Sequence, residues 1–274
     1  MPIKKLSNGN EIPVLGFGTY KITDDVIAEE SVREALRLGY RHVDTAAFYQ
    51  NEKAVGRAIR GSGTDRKNIF VTSKVWKTEN TYDKVMASFE RSMNDLDIGY
   101  LDLYLVHWPA SPSFDDNWKE INRDVWKAMI DIYKSGKARA IGVSNFLVHH
   151  LDTIMDMEVK PMVDQIEINP GFLQEETLEY LKEHNIAAEA WSPLGRGRIF
   201  GNEVLANIAL KYGKTVSQIA LRWELQHDII VLPKSVTPSR IAENMELFDF
   251  EIEEEDMRKI DALPPFAASG HSPD

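Results

Sequence analysis

Four side chains in this sequence could together build a proton-transfer site: Asp44, Tyr49, Lys74 and His107. Asp44 and Tyr49 belong to the stretch Gly39–Gly56, read as a short strand, a small-residue loop and the start of a helix near Asn51. A free phenol, with a pKa of ~10, is a poor acid for delivering a proton to an alkoxide. A lysine ammonium beside it favours the phenolate and lowers that pKa. Asp44 would pair with Lys74 and fix its direction, and His107 would donate a hydrogen bond to a carbonyl oxygen. Such a set supplies a proton and no electrons, so hydride must come from a cofactor. Singly, each residue has a plainer reading as a helix cap, a packing ring, a surface lysine or a satisfied histidine. The chemical reading rests on the four occurring together.

The elements that would position them alternate regularly. A short hairpin spans residues 1–13, with Asn8 and Gly9 as the two positive-φ positions of a tight turn. The apolar run from Val14 to Tyr20 reads as a first buried strand, followed by a helix with Val32, Ala35 and Leu36 on one face, ended by Gly39. Further strands are read at 41–44, 69–74, 101–106, 138–143, 162–168, 186–191 and 229–232, separated by helical patterns. Eight strands alternating with helices in 274 residues, without a linker, favour one closed (β/α)₈ barrel over residues 1–274. It would carry an N-terminal hairpin and a short C-terminal tail. An open dinucleotide-binding sheet is the rival, but Gly16-Phe17-Gly18 lacks the third glycine of its phosphate turn.

In a barrel the C-terminal strand ends share one face, where sites are built. Those positions here are Asp44 with Tyr49, Lys74, His107, Ser144-Asn145, Gln165 with Glu167, Trp191-Ser192, and Lys234-Ser235. From Lys234 to Arg240 the chain runs into a helix that has Pro238 at its first position. Backbone N–H groups, Lys234, Ser235 and Arg240 thus gather at one helix N-terminus, an anion site. With 32 Lys and Arg against 43 Asp and Glu, the net charge is −11, so a local basic cluster suggests a phosphate ligand rather than a nucleic acid or an acidic membrane surface. No apolar run is long enough to span a bilayer and the start lacks a signal-peptide core. The absence of cysteine excludes disulfides and thiolate ligands and fits a reducing, cytoplasmic setting. His149 and His150, adjacent on a helix, are expected to point ~100° apart and to form no metal site. Nothing demands more than a monomer.

Three separated motifs resemble those of the aldo-keto reductases: Gly39-Tyr40-Arg41-His42-Val43-Asp44-Thr45-Ala46 with Glu52 and Gly56; Ile141-Gly142-Val143-Ser144-Asn145-Phe146; and Leu232-Pro233-Lys234-Ser235 with Arg240. The likeness extends over the whole chain and is strongest to short bacterial members of the 2,5-diketo-gluconate and methylglyoxal reductase type. It implies NADPH-dependent reduction of small-molecule carbonyls, with Tyr49 as proton donor, Asp44 and Lys74 as its tuning pair, and His107 orienting substrate. It also implies that Ser144, Asn145 and Gln165 bind the nicotinamide amide and that Trp191 stacks on the ring. Ser192, Pro193, Leu194 and Gly195 would run beside the pyrophosphate, and Lys234, Ser235 and Arg240 would hold the 2′-phosphate, with Glu243 and Asn244 near the adenine. Gly18, Thr19, Tyr20, Val236 and Thr237 complete the expected cofactor contacts; Thr237 stands where many members carry arginine.

Because longer members close the pocket with an extended C-terminal loop, a shallower pocket is expected here, walled by Tyr20, Phe48, Trp76, His107 and Trp108. Trp118 is read as rim packing. The segment Gly195–Arg198 could clasp the cofactor or simply join two elements. Two other functions compete: a non-catalytic nucleotide-binding barrel acting as a sensor, and a hydrolytic barrel using Asp44 with Glu167. A pure binder has no need of a poised phenol.

Overall fold

The computed structural model describes residues 1–274. Two antiparallel strands, β1 (Ile3–Lys5) and β2 (Glu11–Pro13), form the N-terminal hairpin. Its connection differs from the expected tight turn: residues 6–10 intervene and only Gly9 has positive φ, while Asn8 accepts from the Asn10 N–H. The Asn8 and Asn10 amides both donate to the Arg139 carbonyl, which seats the hairpin against the barrel.

Eight parallel strands follow in one sheet: β3 (Phe17–Gly18), β4 (His42–Asp44), β5 (Phe70–Val75), β6 (Leu103–Val106), β7 (Ile141–Ser144), β8 (Val163–Glu167), β9 (Ala187–Trp191) and β10 (Ile230–Val231). Spatial order follows chain order. The edges meet through a parallel bridge between Leu15 and Val231, where the Gly16 N–H donates to Val231 and the Val231 N–H to Val14. That closes the (β/α)₈ barrel and leaves no free edge.

Helices cover the outside because their apolar stripes face the strands. Helix α1 (Asp25–Leu38) begins where Asp24 accepts from the Ile27 N–H and ends at Gly39, whose φ of 114° allows the chain to reverse into β4. Helix α2 (Glu52–Arg60) sits between α1 and α3 (Tyr82–Leu96). Gly56 makes that packing possible, since a Cβ there would lie 2.1 Å from the Leu96 carbonyl oxygen. Gly56→Ala is therefore expected to cost about 2–3 kcal/mol, read as a lowered urea midpoint with unchanged m-value. Beyond these lie α4 (Trp118–Lys134), α5 (Val148–Leu151), α6 (Glu175–Glu183), α7 (Glu203–Tyr212), α8 (Val216–Gln226), α9 (Pro238–Glu243) and α10 (Glu254–Asp261). No helix is long and apolar enough to cross a membrane.

The last residues do not trail away from the barrel. Ser269 donates to the Glu167 carboxylate from its N–H at 2.8 Å and its hydroxyl at 2.5 Å. Arg198 donates to the Ala267 carbonyl. Asp274 ends beside α5, with one oxygen 3.1 Å from His149 Nε2 and 3.2 Å from His150 Nε2. The two imidazoles therefore do converge, with ring centroids 3.9 Å apart, contrary to the angular expectation. They stand on a helix of only four residues, too short for an ideal helical offset to govern where both rings end. With Asp274 they bring three potential ligand atoms within 4.8 Å of one another, while His150 Nδ1 accepts from the Leu147 N–H.

Candidate active site

A cavity of about 1380 Å³ opens at the C-terminal strand ends. Asp44, Tyr49 and His107 line it, and Lys74 lies fully buried behind Asp44 and Tyr49. Asp44 ends β4, Lys74 lies on β5, His107 directly follows β6, and Tyr49 ends a 3-10 turn, Ala47–Tyr49. Parallel register brings the first two together: Asp44 is level with Thr72, so Lys74 projects from the same interior face one pleat higher.

The Lys74 ammonium is fully buried and donates to both Asp44 oxygens, at 2.6 and 2.7 Å, and to the Thr45 carbonyl at 3.0 Å. It lies 3.4 Å from the Tyr49 hydroxyl. Thr19 and Asn51 brace this corner: the Thr19 hydroxyl donates to the Asp44 carbonyl, and Asn51 accepts from Thr45 while donating to Thr19. Asn51 is thus spent on the loop rather than on capping α2. Glu52, the next residue, is buried and accepts from Ser73 and Ser92.

The electrostatics differ from expectation in sign. Burial, then the Asp44 charge, then Tyr20 and Glu189, push the Tyr49 phenol well above its usual range. Lys74 does not reverse this, since its three short donor contacts go to Asp44 and Thr45, leaving one long contact for the phenol. Tyr49 therefore stays protonated across all ordinary pH, as a proton donor must. His107 is pushed well below the usual imidazole range by burial and by the Lys74 charge, so it is neutral and has one N–H to offer. Its Nδ1 is buried without a partner.

An aromatic wall surrounds these groups. Phe48 and Trp76 stack at 3.8 Å, and Trp76 and Tyr49 meet the His107 ring edge-on at 5.0 and 5.6 Å. Tyr20 packs 5.0 Å from Tyr49, and Trp108 also lines the cavity. Trp118 lies outside the lining, against His149 and His150. The C-terminal tail contributes to the pocket wall: His271, Ser272 and Pro273 line the cavity, held there by the Glu167 and α5 contacts. Glu167 is consumed by that anchorage and does not line the cavity, which removes its pairing with Asp44 in a hydrolytic site.

The other end of the cavity is polar. Trp191 Nε1 donates to Asn145 Oδ1 at 2.8 Å, Asn145 donates to the His107 carbonyl, and the Ser144 hydroxyl donates to the Gln165 carbonyl. Gly18, Ser192, Pro193, Leu194, Lys234, Ser235, Arg240, Glu243 and Asn244 line the wall as expected. Thr19, Gly195, Val236 and Thr237 do not: Thr19 braces Asp44, Gly195 packs on Ala267, Val236 is exposed, and the Thr237 N–H donates to Ser235. Sequence reasoning missed Lys21, Lys77, Phe114, Arg196, Phe200 and Thr215. Only Arg196 carried a signal, its glycine-flanked loop, which here arches into a 3-10 segment over Trp191, with the guanidinium 5.7 Å from the ring.

Whether these residues fit a phosphorylated dinucleotide is answered by their charges. Lys21, Arg196, Lys234 and Arg240 line the cavity and take part in none of the protein's ion pairs, although its net charge is −11. Burial and the neighbouring Lys21 push the Lys234 ammonium down, as expected for a cation held without a counter-ion. Uncompensated cations around a concave wall, with Ser235 and the α8 start at Thr215, fit anionic phosphates.

Comparison with known proteins agrees. A model of the aldo/keto reductase family matches residues 14–264. Glyoxal reductase of Bacillus subtilis (strain 168) is 48% identical over 271 residues, 98% of this chain and 95% of that protein. Methylglyoxal reductase DkgA of Salmonella typhimurium is 40% identical over 276 residues, covering 99% and 97%. A crystal structure of a Gox0644 mutant in complex with NADPH superposes with a TM-score of 0.91 at 39% identity, covering 99% and 97% of the two chains. The chain belongs to the aldo/keto reductase family.

Proposed function

We propose that the protein reduces aldehydes and ketones to alcohols with NADPH, and that small dicarbonyls of the glyoxal and methylglyoxal kind are among its substrates. The observation that carries this is the buried Asp44–Lys74 pair held 3.4 Å from a protonated Tyr49, beside a neutral His107, at the base of one cavity. A purely nucleotide-binding barrel would gain nothing from burying that ion pair.

Bound NADPH supplies the hydride. Ser144, Asn145, Gln165 and Trp191 would hold its nicotinamide, and Lys21, Lys234, Ser235 and Arg240 its phosphates. The chain's own residues handle oxygen and proton. His107 directs its N–H at the substrate carbonyl oxygen and fixes the carbonyl against the cavity base. As negative charge grows on that oxygen, Tyr49 transfers its phenolic proton there. The Lys74 ammonium stabilises the phenolate left behind, and Asp44 keeps the ammonium in place. Phe48, Trp76 and Trp108 exclude water from one side of the carbonyl. Residues 1–274 act as one domain, as a monomer in the cytoplasm, a reading supported by the continuous strand–helix alternation, the absence of cysteine and the net charge of −11.

The test is NADPH consumption with glyoxal, methylglyoxal and keto-sugars; absence of turnover on all of them would refute the substrate reading. Cofactor choice gives a second check. Lys234→Ala and Arg240→Ala are each expected to raise the KM for NADPH about 10–100-fold, the loss of a charge-assisted contact. The KM for NADH should barely move, since the 2′-phosphate alone distinguishes the two.

A further inference from the structure

Beneath the catalytic cluster lies a carboxyl group without an assigned purpose. Glu189 is on β9, two residues before Trp191 and so on the same interior face, and it is fully buried. Its Oε2 accepts from Gln165 Nε2 at 2.6 Å. The same Gln165 nitrogen donates to Asp44 Oδ2 at 2.9 Å. A primary amide nitrogen has two hydrogens, and here both are committed to acidic oxygens. Turning the amide over would set its carbonyl oxygen against the Asp44 carboxylate. The orientation of Gln165, a cavity-lining residue, is thus fixed from below.

The other Glu189 oxygen shows how the group stays in place. His42, also fully buried, has Nδ1 3.4 Å from the Pro13 carbonyl, which can only accept, so that nitrogen holds the hydrogen. Burial holds His42 down at about 3, hence neutral, with Nε2 a bare acceptor. Nε2 lies 3.2 Å from the Thr72 hydroxyl and 3.6 Å from Glu189 Oε1, an oxygen with no other partner. Oε1 therefore has no donor within hydrogen-bond reach, a setting that suits a neutral carboxylic acid, whereas a carboxylate would be left with an unsatisfied charged oxygen facing a lone pair. The charged and titratable groups around it are Asp44 and His42 from β4, Lys74 from β5 and Tyr49 above; β10 sets Ile230 opposite it. Burial and the Asp44 charge push Glu189 up to about 8, with Gln165 and Lys74 pulling the other way.

We infer that Glu189 is a positioning residue for carbonyl reduction: as a neutral acid it locks the Gln165 amide for the nicotinamide and keeps a second negative charge from beneath Tyr49 and Lys74. This rests on the proposed reductase reading. On ionisation of Glu189, a carboxylate would hold the Tyr49 proton more tightly and compete with Asp44 for Lys74, so proton delivery slows.

The experiment compares native protein with Glu189→Gln and Glu189→Leu. Glutamine keeps an acceptor for Gln165, offers an N–H to His42 and never ionises. The native kcat should fall as pH rises through about 8, and that fall should vanish in Glu189→Gln while the neutral-pH kcat and NADPH Kd persist. Glu189→Leu frees the Gln165 amide and should weaken NADPH binding about tenfold, read by quenching of tryptophan fluorescence. In the protein without cofactor, an infrared difference spectrum of native minus Glu189→Gln should contain a protonated-carboxyl stretch at neutral pH, lost at higher pH. That readout survives failure of the reductase reading, which would instead appear as no turnover by native protein. The inference is overturned if Glu189→Gln retains the alkaline fall, if the difference spectrum shows a carboxylate at neutral pH, or if a folded Glu189→Leu binds NADPH as the native protein does.

Discussion

Tyr49→Phe is expected to lower kcat for carbonyl reduction by about 10²–10⁴-fold, the usual contribution of a positioned general acid. The NADPH Kd should be essentially unchanged, because the hydroxyl touches Lys74 rather than the polar wall where the cofactor would sit. The fold should be untouched: the ring keeps its contacts with Tyr20 and His107, and only one 3.4 Å hydrogen bond is lost. Steady-state rates together with a fluorescence titration of NADPH separate the two effects. A variant that kept more than a tenth of native kcat would show that Tyr49 is not the acid. The direction of the Tyr49 shift adds a pH check. With its pKa well above the usual range, the phenol cannot produce an alkaline limb near neutrality by losing its proton. Any such limb belongs to another group, and Glu189, at about 8, is the candidate on this face.

Lys74→Met should abolish turnover and also destabilise the protein by about 3–5 kcal/mol, the cost of leaving one member of a buried ion pair unpaired. The number follows from burial: Lys74 is fully buried, and Asp44 is 3% exposed, so water cannot replace the lost ammonium. Asp44 would keep only its Gln165 hydrogen bond. The double variant Asp44→Asn with Lys74→Met removes both charges. It should be more stable than Lys74→Met alone while remaining inactive, because stability depends on charge balance and catalysis on the ammonium itself. Urea denaturation of the single and double variants measures this coupling. Equal destabilisation of Lys74→Met and the double variant would mean the pair is solvated in solution.

The two results would also divide the site into layers. Tyr49 faces the cavity and its loss should be felt only in rate. Lys74 and Asp44 lie within the barrel wall and hold both rate and fold. Glu189 and Gln165 lie within the same buried network, where geometry and charge state can be separated by a glutamine substitution.

Much of this was legible in the chain. Alternating strands and helices dictated eight parallel strands, since each apolar run of four to seven residues must be buried on both faces and each helix must cover them. Strand-end position then selected Asp44, Lys74 and His107, because only residues at C-terminal strand ends can share a face. The cationic wall around Lys234 and Arg240 followed from a helix start and from charge contrast. These are local or periodic properties, which a linear sequence states directly.

The tertiary structure decided what depends on distance between segments remote in sequence. The Tyr49 pKa rises rather than falls because burial and then the Asp44 charge push it up, while Lys74 is held at 2.6 Å by Asp44 and 3.4 Å from the phenol, a balance that no spacing rule ranks. The tail joins the cavity wall because Ser269 finds Glu167, 102 residues earlier in the chain, an outcome set by loop geometry. His149 and His150 converge, and both meet Asp274 from the far end of the sequence, a contact that helical pitch does not state. Glu189 looks in sequence like one acid among alanines; strand pairing sets it beside Gln165 and the packed barrel interior near Asp44, where burial raises its pKa. Periodicity reveals which face a residue occupies, and three-dimensional packing alone reveals the charges and acceptors that face it there.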